Sequence, residues 1–258
     1  MSTMDTTLRH GKAATLGPKA LKRPTGRGPA RRSSPRTVSL ALVVLKPWAE
    51  WATRTALVGR NRSRSDAAQG RFSSAEVRRI LRNAWSTFDR LVPELPAKPT
   101  VGSRQNVLLA CLTLAMFEAL LDEGIDRAYA IELVSDACWN VYGQWAQIPK
   151  LVSRLGTRDP VGRMRSCVDM FLRFPFNRPG YVYEDRPEPK GRALDILRCP
   201  VADYLGAHDA SDLAVGSWCN LDFQLARMWS GTLERHGSLA GGAPRCDFRF
   251  RANTRQAS

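Results

Sequence analysis

The sequence is poor in the residues and motifs on which common catalytic sites depend. Its 258 residues include three histidines, His10, His208 and His236. It contains no HExxH, GxxxxGK[ST], GxGxxG or GxSxG pattern, which argues against common metalloproteases, nucleotide hydrolases, dinucleotide-binding proteins and lipases. It also lacks a run of roughly 18 apolar residues, the length needed to cross a membrane. We therefore expect no membrane partner.

Closely spaced cysteines are absent as well, although the chain has six cysteines in total. An even count would suit disulfides in a small secreted protein, but this chain is long and has no clear secretory signal. Arg31-Arg32 and the apolar run 38–45 resemble an export signal, yet the run is short and Lys46-Pro47 follows at once. We expect reduced thiols and a cytoplasmic location.

The positive charge is concentrated at the N-terminus. The net charge is +15, and residues 1–72 hold 15 Lys and Arg against three acidic residues. Residues 1–36 have no Phe, Tyr or Trp on which nucleic-acid bases could stack. We predict a disordered basic tail over residues 1–60, with a short apolar helix near 48–58. Nucleic-acid binding through residues 1–64 is an alternative that we do not favour.

Helical signals dominate the chain after Phe72. Ser73 and Glu76 fit a capping box, Asp126 is placed to cap a later helix, and Asp159-Pro160 is a typical helix start. Gly124 is placed to end a long apolar helix. The predicted helices cover about 73–92, 103–123, 127–146 and 160–174.

The pattern changes to short strands after Phe176. Cys246, Phe248 and Phe250 alternate with charged residues, which is the period of a strand. Strands are predicted near 181–184, 193–198, 231–236 and 246–251, with a helix over 217–229. The fold class is therefore α+β: an N-terminal helical layer followed by a small antiparallel sheet that carries one further helix. We expect one domain over residues 72–258.

Three cysteines lie at the ends of predicted elements. Cys199 ends a strand, Cys219 lies in the first turn of a helix, and Cys246 opens the last strand. If the last strand returns beside the strand ending at Cys199, the three meet at one end of the sheet. Because a helix N-terminus lowers the pKa of a thiol, Cys219 is the best candidate nucleophile. Asp222 shares its helix face.

Two other interpretations of these cysteines stay open. Buried cysteine often acts as a small hydrophobe, as we expect for Cys111, Cys138 and Cys167 within helices. The three C-terminal cysteines could also bind zinc together with Asp222 or a histidine, but their spacings lack the usual paired ligands. We predict no metal or other cofactor.

The last strand also carries candidate substrate-binding residues. An arginine facing the site, Arg245 or Arg249, could hold a substrate carboxylate through two parallel hydrogen bonds. The alternative is a row of charges facing solvent along the strand. His236 and His208 are the only histidines placed to pair with a C-terminal cysteine, and a solvated loop position would suit both equally well.

Three segments carry a family resemblance. Arg198-Cys199-Pro200, the stretch from Trp218-Cys219 to Asp222, and Cys246-Asp247-Phe248-Arg249-Phe250 together resemble the L-2-amino-thiazoline-4-carboxylic acid hydrolase family. The resemblance implies a hydrolase acting on a carbon–nitrogen or carbon–sulfur bond of a small heterocycle. The family substrate is a cyclic isothiourea bearing a carboxylate, opened to N-carbamoyl-L-cysteine.

The residues fit that chemistry in outline. Asp222 or Asp247 would pair with the protonated ring, a thiolate or an activated water would attack its electrophilic carbon, and an arginine would anchor the carboxylate. We expect a small-molecule substrate and leave a homo-oligomer open. A non-enzymatic module that binds a small ligand or zinc is the main alternative.

Overall fold

A computed structural model describes residues 35–59 and 70–253, with side chains from Lys46 onward. The helices in this part are α1 (Pro35–Leu57), α2 (Ser74–Leu91), α3 (Val101–Asp122), α4 (Arg127–Trp145), α5 (Gln147–Gly156), α6 (Pro160–Arg173), α7 (Pro200–Ala207), α8 (Ser211–Ala214) and α9 (Leu221–Met228). The strands are β1 (Val182–Arg186), β2 (Gly191–Arg198), β3 (Gly231–Glu234) and β4 (Cys246–Ala252). The predicted α+β class is confirmed.

The predicted caps form in the helical layer. The Ser73 hydroxyl accepts from the backbone N–H of Glu76, whose carboxylate accepts from the N–H of Ser73 at 2.8 Å. Asp126 and Asp159 cap α4 and α6 in the same region. These side chains satisfy backbone donors that a helix N-terminus leaves unpaired. The predicted starts of α2, α4 and α6 are therefore confirmed.

Helix α3 is the centre of this layer and packs against α2, α4 and α7. By length and composition alone it could cross a membrane, but 67% of its apolar window is buried inside the fold. Its side chains are buried nearly all round, with Cys111 and Leu120 at 0% exposure. A helix that is buried on most sides inside a protein is apolar on all its faces, so the composition of α3 does not require contact with lipid.

The prediction of a disordered tail was wrong for residues 35–57, because these residues form α1. The expected short helix near 48–58 is its C-terminal part, where Ala52, Ala56 and Leu57 are buried. Helix α1 packs against α4, and burial of one helix face supplies most of the stability of a helix in a protein. Residues 1–34 and 60–69, with the rest of the predicted tail, lie outside the described residues.

The four strands form one antiparallel sheet in the order β1-β2-β4-β3. Strand β4 lies beside β2, with Cys246 opposite Ile196 and Phe248 opposite Leu194. The last strand thus returns beside the one that leads to Cys199, which is the condition under which the three cysteines were expected to meet. Cys246, Phe248 and Phe250 point to the inner face of the sheet, so the residues between them point to the outer face.

The connection from β2 to β3 holds more helix than the single one predicted. It contains α7, α8, a π-helical segment at Val215–Cys219, and α9. Pro200 occupies the first turn of α7, where its missing N–H costs nothing. Single-turn π segments inside helices are frequent at functional sites, and this one precedes Asp222.

Two apolar clusters fill the interior. One joins α1–α4 with α7 and α8, and the other joins the inner face of the sheet with α6 and α9. Cys199 and Trp218 pack against the first cluster, whereas Cys246 and Leu221 belong to the second. The candidate site lies where the two clusters meet.

Candidate active site

A cavity of about 100 Å³, which we call cavity 1, lies between the sheet and the helices. Its floor is the inner face of β2 and β4, and its walls are aromatic and aliphatic side chains together with cysteines and Asp222. Its lining includes polar or sulfur-bearing side chains and one Trp: Tyr142, Tyr181, Cys199, Trp218, Cys219, Asp222 and Cys246. Small enclosed pockets with few polar groups are the usual form of small-molecule sites.

Cys199, Cys219 and Cys246 all line cavity 1, so the structure brings the three together as expected. Cys199 precedes α7, Cys219 ends the π-helical segment, and Cys246 begins β4. The backbone N–H of Leu239 donates to the Cys246 sulfur at 3.2 Å. The antiparallel pairing of β2 with β4 is the physical reason for this convergence.

The prediction that a helix N-terminus activates Cys219 was wrong. Cys219 follows α8 and the π-helical segment, in a helical stretch that began at Ser211. Burial, and then the nearby Asp222, raise the pKa of the Cys219 thiol well above its ordinary value. Burial also raises the pKa of Cys199 to about 12 and that of Cys246 above its usual range. The three thiols are therefore neutral at pH 7.

Asp222 is the acidic side chain of cavity 1. Burial raises its pKa to about 7, although the positive charge of Arg235 acts in the opposite direction. The side chain keeps 23% of its surface exposed because it faces the cavity. A carboxyl group with this pKa can both accept and donate a proton near neutral pH.

Arg235 is a site residue that sequence analysis missed. Its Nη1 donates to the Cys219 carbonyl oxygen at 2.7 Å and lies 3.4 Å from Asp222 Oδ2. Its side chain is 7% exposed, and its guanidinium stacks over the rings of Phe223 and Phe248. Arg235 thereby ties the strand side of the site to the helix that carries Asp222.

Asp247 and His236, both predicted for the site, lie outside cavity 1. The Asp247 carboxylate accepts from the backbone N–H groups of His236 and Gly237, at 3.0 and 2.7 Å, and contacts His236 Nδ1. Burial alone would raise the pKa of Asp247, but these hydrogen bonds lower it to about 2. The His236 side chain is 84% exposed. Asp247 therefore holds the hairpin of β3 and β4 on the outer face of the sheet.

Arg245 and Arg249, predicted to bind substrate, also lie away from cavity 1. Both pair with Asp195, whose carboxylate is 2% exposed, at 3.5 and 2.9 Å. Arg186 completes the cluster at 2.7 Å. Alternation along β2 and β4 puts this cluster on the face opposite the cavity. Both arginines thus pair with a buried carboxylate in this structure, and their role in substrate binding stays a prediction.

Two tyrosines add hydroxyl groups to the cavity wall. Tyr181 accepts a hydrogen bond from Asn106 Nδ2 at 2.8 Å. The hydroxyl of Tyr142 is buried and has no hydrogen-bond partner among the described residues, and the same holds for Asn106 Oδ1. Burial raises the pKa of both tyrosines well above the ordinary value, so both stay protonated. Buried polar groups without partners are rare and point to a ligand or water.

The zinc alternative finds no support in the arrangement of ligands. Within residues 35–59 and 70–253, no three side chains of His, Cys, Asp and Glu are grouped so that they could hold a metal ion. The three thiols of cavity 1 are free cysteines. Their shared surroundings are apolar and aromatic.

The sequence model of the L-2-amino-thiazoline-4-carboxylic acid hydrolases matches residues 105–250. The match covers more than half of the chain, so the chain belongs to this hydrolase family, and the resemblance noted in the sequence is confirmed. The matched range contains Cys199, Cys219, Asp222, Arg235 and Cys246. No curated protein and no solved structure matches the chain.

Proposed function

We propose that this protein is a hydrolase that opens a small cyclic amidine or isothiourea. The observation that carries the proposal is Asp222, a carboxyl group with a pKa of about 7 inside an aromatic cavity. Such a group is suited to move protons at neutral pH. Membership of the family supplies the reaction class, and the cavity is of the size of a small heterocycle.

Asp222 acts as the acid–base group in this proposal. In its ionised form it takes a proton from water as the oxygen bonds to the ring carbon, and it delivers that proton to the ring nitrogen. It then takes the proton of the added hydroxyl as the carbonyl forms and passes it to the departing ring sulfur. For a cyclic isothiourea, one water is consumed, the carbon–sulfur bond breaks, and the product is an N-carbamoyl aminothiol.

Water, rather than a cysteine, is the attacking group. The thiols of Cys199, Cys219 and Cys246 all have raised pKa values, and a neutral thiol is a poor nucleophile. The three side chains instead form a compact, weakly polar wall beside the ring. Arg235 holds the Asp222 helix in place and limits how far burial raises the Asp222 pKa.

The test of this proposal uses two cyclic isothioureas as substrates, 2-amino-2-thiazoline and its 4-carboxylate. The purified full-length protein should release a thiol from at least one of them, read with a thiol-reactive dye and by a mass gain of one water. Because the base must be ionised, kcat/KM should rise with pH until about pH 7, the pKa of Asp222.

The Asp222→Asn variant should lose about 10²- to 10⁴-fold in kcat, the usual contribution of a positioned acid–base group. Asp89→Asn is the matched control, since Asp89 is an exposed carboxylate on α2, and it should keep wild-type activity. Full activity of Asp222→Asn would remove Asp222 from the mechanism. Absence of thiol release from both probes and from a 4-hydroxybenzyl analogue, all with the wild-type protein, would refute the hydrolase itself.

A further inference from the structure

Cavity 1 offers no cation to a negatively charged substrate. Among the described residues that line it, one side chain, Asp222, is ionisable to a carboxylate, and none of these residues is Lys, Arg or His. Arg235 is the cation beside Asp222, but it is not part of the lining. Its Nη1 is already committed to the Cys219 carbonyl and to Asp222.

The family substrate carries a carboxylate, and this cavity is a poor host for one. An ionised carboxylate buried without a partner loses its hydration and gains nothing in return. Asp222 adds repulsion whenever it is ionised. The arginines that could have held a carboxylate, Arg245 and Arg249, are paired with Asp195 on the opposite face of the sheet.

A second cavity of about 250 Å³, which we call cavity 2, adjoins cavity 1. The two share the side chains of Tyr142 and Phe171, so the cavities adjoin at these two residues. Cavity 2 is larger than cavity 1, and its described lining, unlike that of cavity 1, contains no charged side chain. Its lining residues come from α1, α3, α4, α5, α6 and the segment after α6.

The walls of cavity 2 favour a planar apolar group. Trp145 lies between Trp48 and Phe174, with ring centroids 6.1 and 6.2 Å away. Such spacing is typical of aromatic packing, so the three rings form an apolar wall of the cavity against which a flat ligand can lie. Ile148 stands at the surface end of the cavity with 60% of its side chain exposed.

Two residues that line cavity 2 carry polar atoms without hydrogen-bond partners among the described residues. Asn106 lines cavity 2 and is 1% exposed, and its Oδ1 has no hydrogen-bond partner among the described residues. Tyr142 lines both cavities, and its hydroxyl also has no hydrogen-bond partner among the described residues. An Asn Oδ1 accepts hydrogen bonds, so the missing partner is an O–H or N–H donor.

We propose that the substrate is a carboxylate-free cyclic amidine or isothiourea, whose apolar or aromatic substituent occupies cavity 2 and carries one hydrogen-bond donor. The inference rests on the proposed function, since it places the reacting ring in cavity 1 beside Asp222. It departs from the family substrate in the group attached to the ring. A neutral or cationic ring suits a cavity in which the one charge is a carboxylate.

The test uses three probes that share one ring and differ at ring position 4. That position bears a carboxylate, a hydrogen or a 4-hydroxybenzyl group. We expect kcat/KM to be lowest for the carboxylate and highest for the hydroxybenzyl probe, with a factor of about ten at each step. Equal or higher kcat/KM for the carboxylate would overturn the inference while leaving the hydrolase proposal intact.

A matched pair of variants on α5 tests cavity 2 itself. Ile148→Trp narrows the cavity from the surface and should lower kcat/KM about tenfold for the hydroxybenzyl probe alone. Leu155→Trp is the control, since Leu155 is 89% exposed and does not line the cavity. An equal effect of Ile148→Trp on all three probes, or no effect on any, would contradict the inference.

Equilibrium binding separates this inference from the hydrolase proposal. Calorimetry measures Kd for the same three probes on the full-length Asp222→Asn variant, in which turnover should be slow, and on the wild-type protein for any probe that it does not hydrolyse. If none is hydrolysed, the hydrolase proposal fails. The inference then stands only if the hydroxybenzyl probe binds at least about tenfold more tightly than the carboxylate probe.

Discussion

Replacing Asp222 by asparagine should stabilise the protein while it removes activity. The carboxyl group has a pKa of about 7 in the folded protein, against an ordinary value of 3.8. Burial disfavours its charged form, so the folded state holds the proton over a pH range in which the unfolded chain has lost it. Asparagine keeps the shape of the protonated acid and carries no charge to bury.

The sign and size of the effect follow from proton linkage. Because the folded state binds more protons than the unfolded state between about pH 4 and 7, wild-type stability falls as pH rises through that window. The shift of about three pKa units corresponds to about 4 kcal/mol above pH 7, and to roughly 2 kcal/mol at pH 5. The attraction of Arg235 is already contained in the value of about 7.

Urea denaturation of both proteins at pH 3.5, 5 and 8 measures the effect as a difference in the free energy of unfolding. Asp222→Asn should match the wild type near pH 3.5 and exceed it by up to about 4 kcal/mol at pH 8. A gain that does not change with pH would mean that ionisation of Asp222 is not its source. A loss at pH 8 would mean that the carboxylate is stabilised in place, and the proposed acid–base role would lose its physical basis.

Three further outcomes are expected. Cys219→Ser should keep activity within about tenfold of Cys111→Ser, because a neutral thiol is not the attacking group; a loss near 1000-fold, specific to Cys219, would transfer the attack to that sulfur. Asp247→Asn should lower the free energy of unfolding by about 2 kcal/mol at pH 7, because the pKa of Asp247 in the folded protein is lowered to about 2. Thermal melts of the variant and the wild type should show this difference vanish as the pH falls from 4 through 2. Gly191→Ala should lower the free energy of unfolding, measured by urea titration, by about 2 kcal/mol or more, because the added Cβ would lie 1.9 Å from the Phe250 carbonyl oxygen. An unchanged urea midpoint would contradict this close approach.

Local signals in the sequence were enough for much of the secondary structure. The caps at Ser73, Asp126 and Asp159 act within one helical turn, so they are readable without knowledge of the rest of the fold. Alternation over residues 246–251 likewise predicts β4 and its two faces. The convergence of the cysteines needed only one topological assumption, that β4 lies beside β2, and the structure confirms it.

The errors concern which face a residue occupies and what lies across from it. Alternation separates Arg249 from Phe248 but does not say which face carries the site. The available signal was Asp195, an acidic residue amid the apolar residues of β2, which marks a buried partner for arginines on the outer face. Arg235 was missed because it follows a short strand as an ordinary charged residue, and only packing between Phe223 and Phe248 buries it.

The two aspartates around the β3–β4 hairpin show how one small region supports opposite chemistry. Asp247 accepts backbone hydrogen bonds and has a pKa of about 2, whereas Asp222 faces an aromatic cavity and has a pKa of about 7. Environments that push the pKa values of two carboxyl groups apart in this way make one group a structural charge and the other a proton-transfer group. The permanently charged Asp247 fixes the hairpin that carries Cys246 and follows Arg235, and Arg235 in turn holds the Asp222 helix. The stability contributed by Asp247 thus supports an arrangement in which Asp222 is destabilising, as is expected where burial has been retained for function.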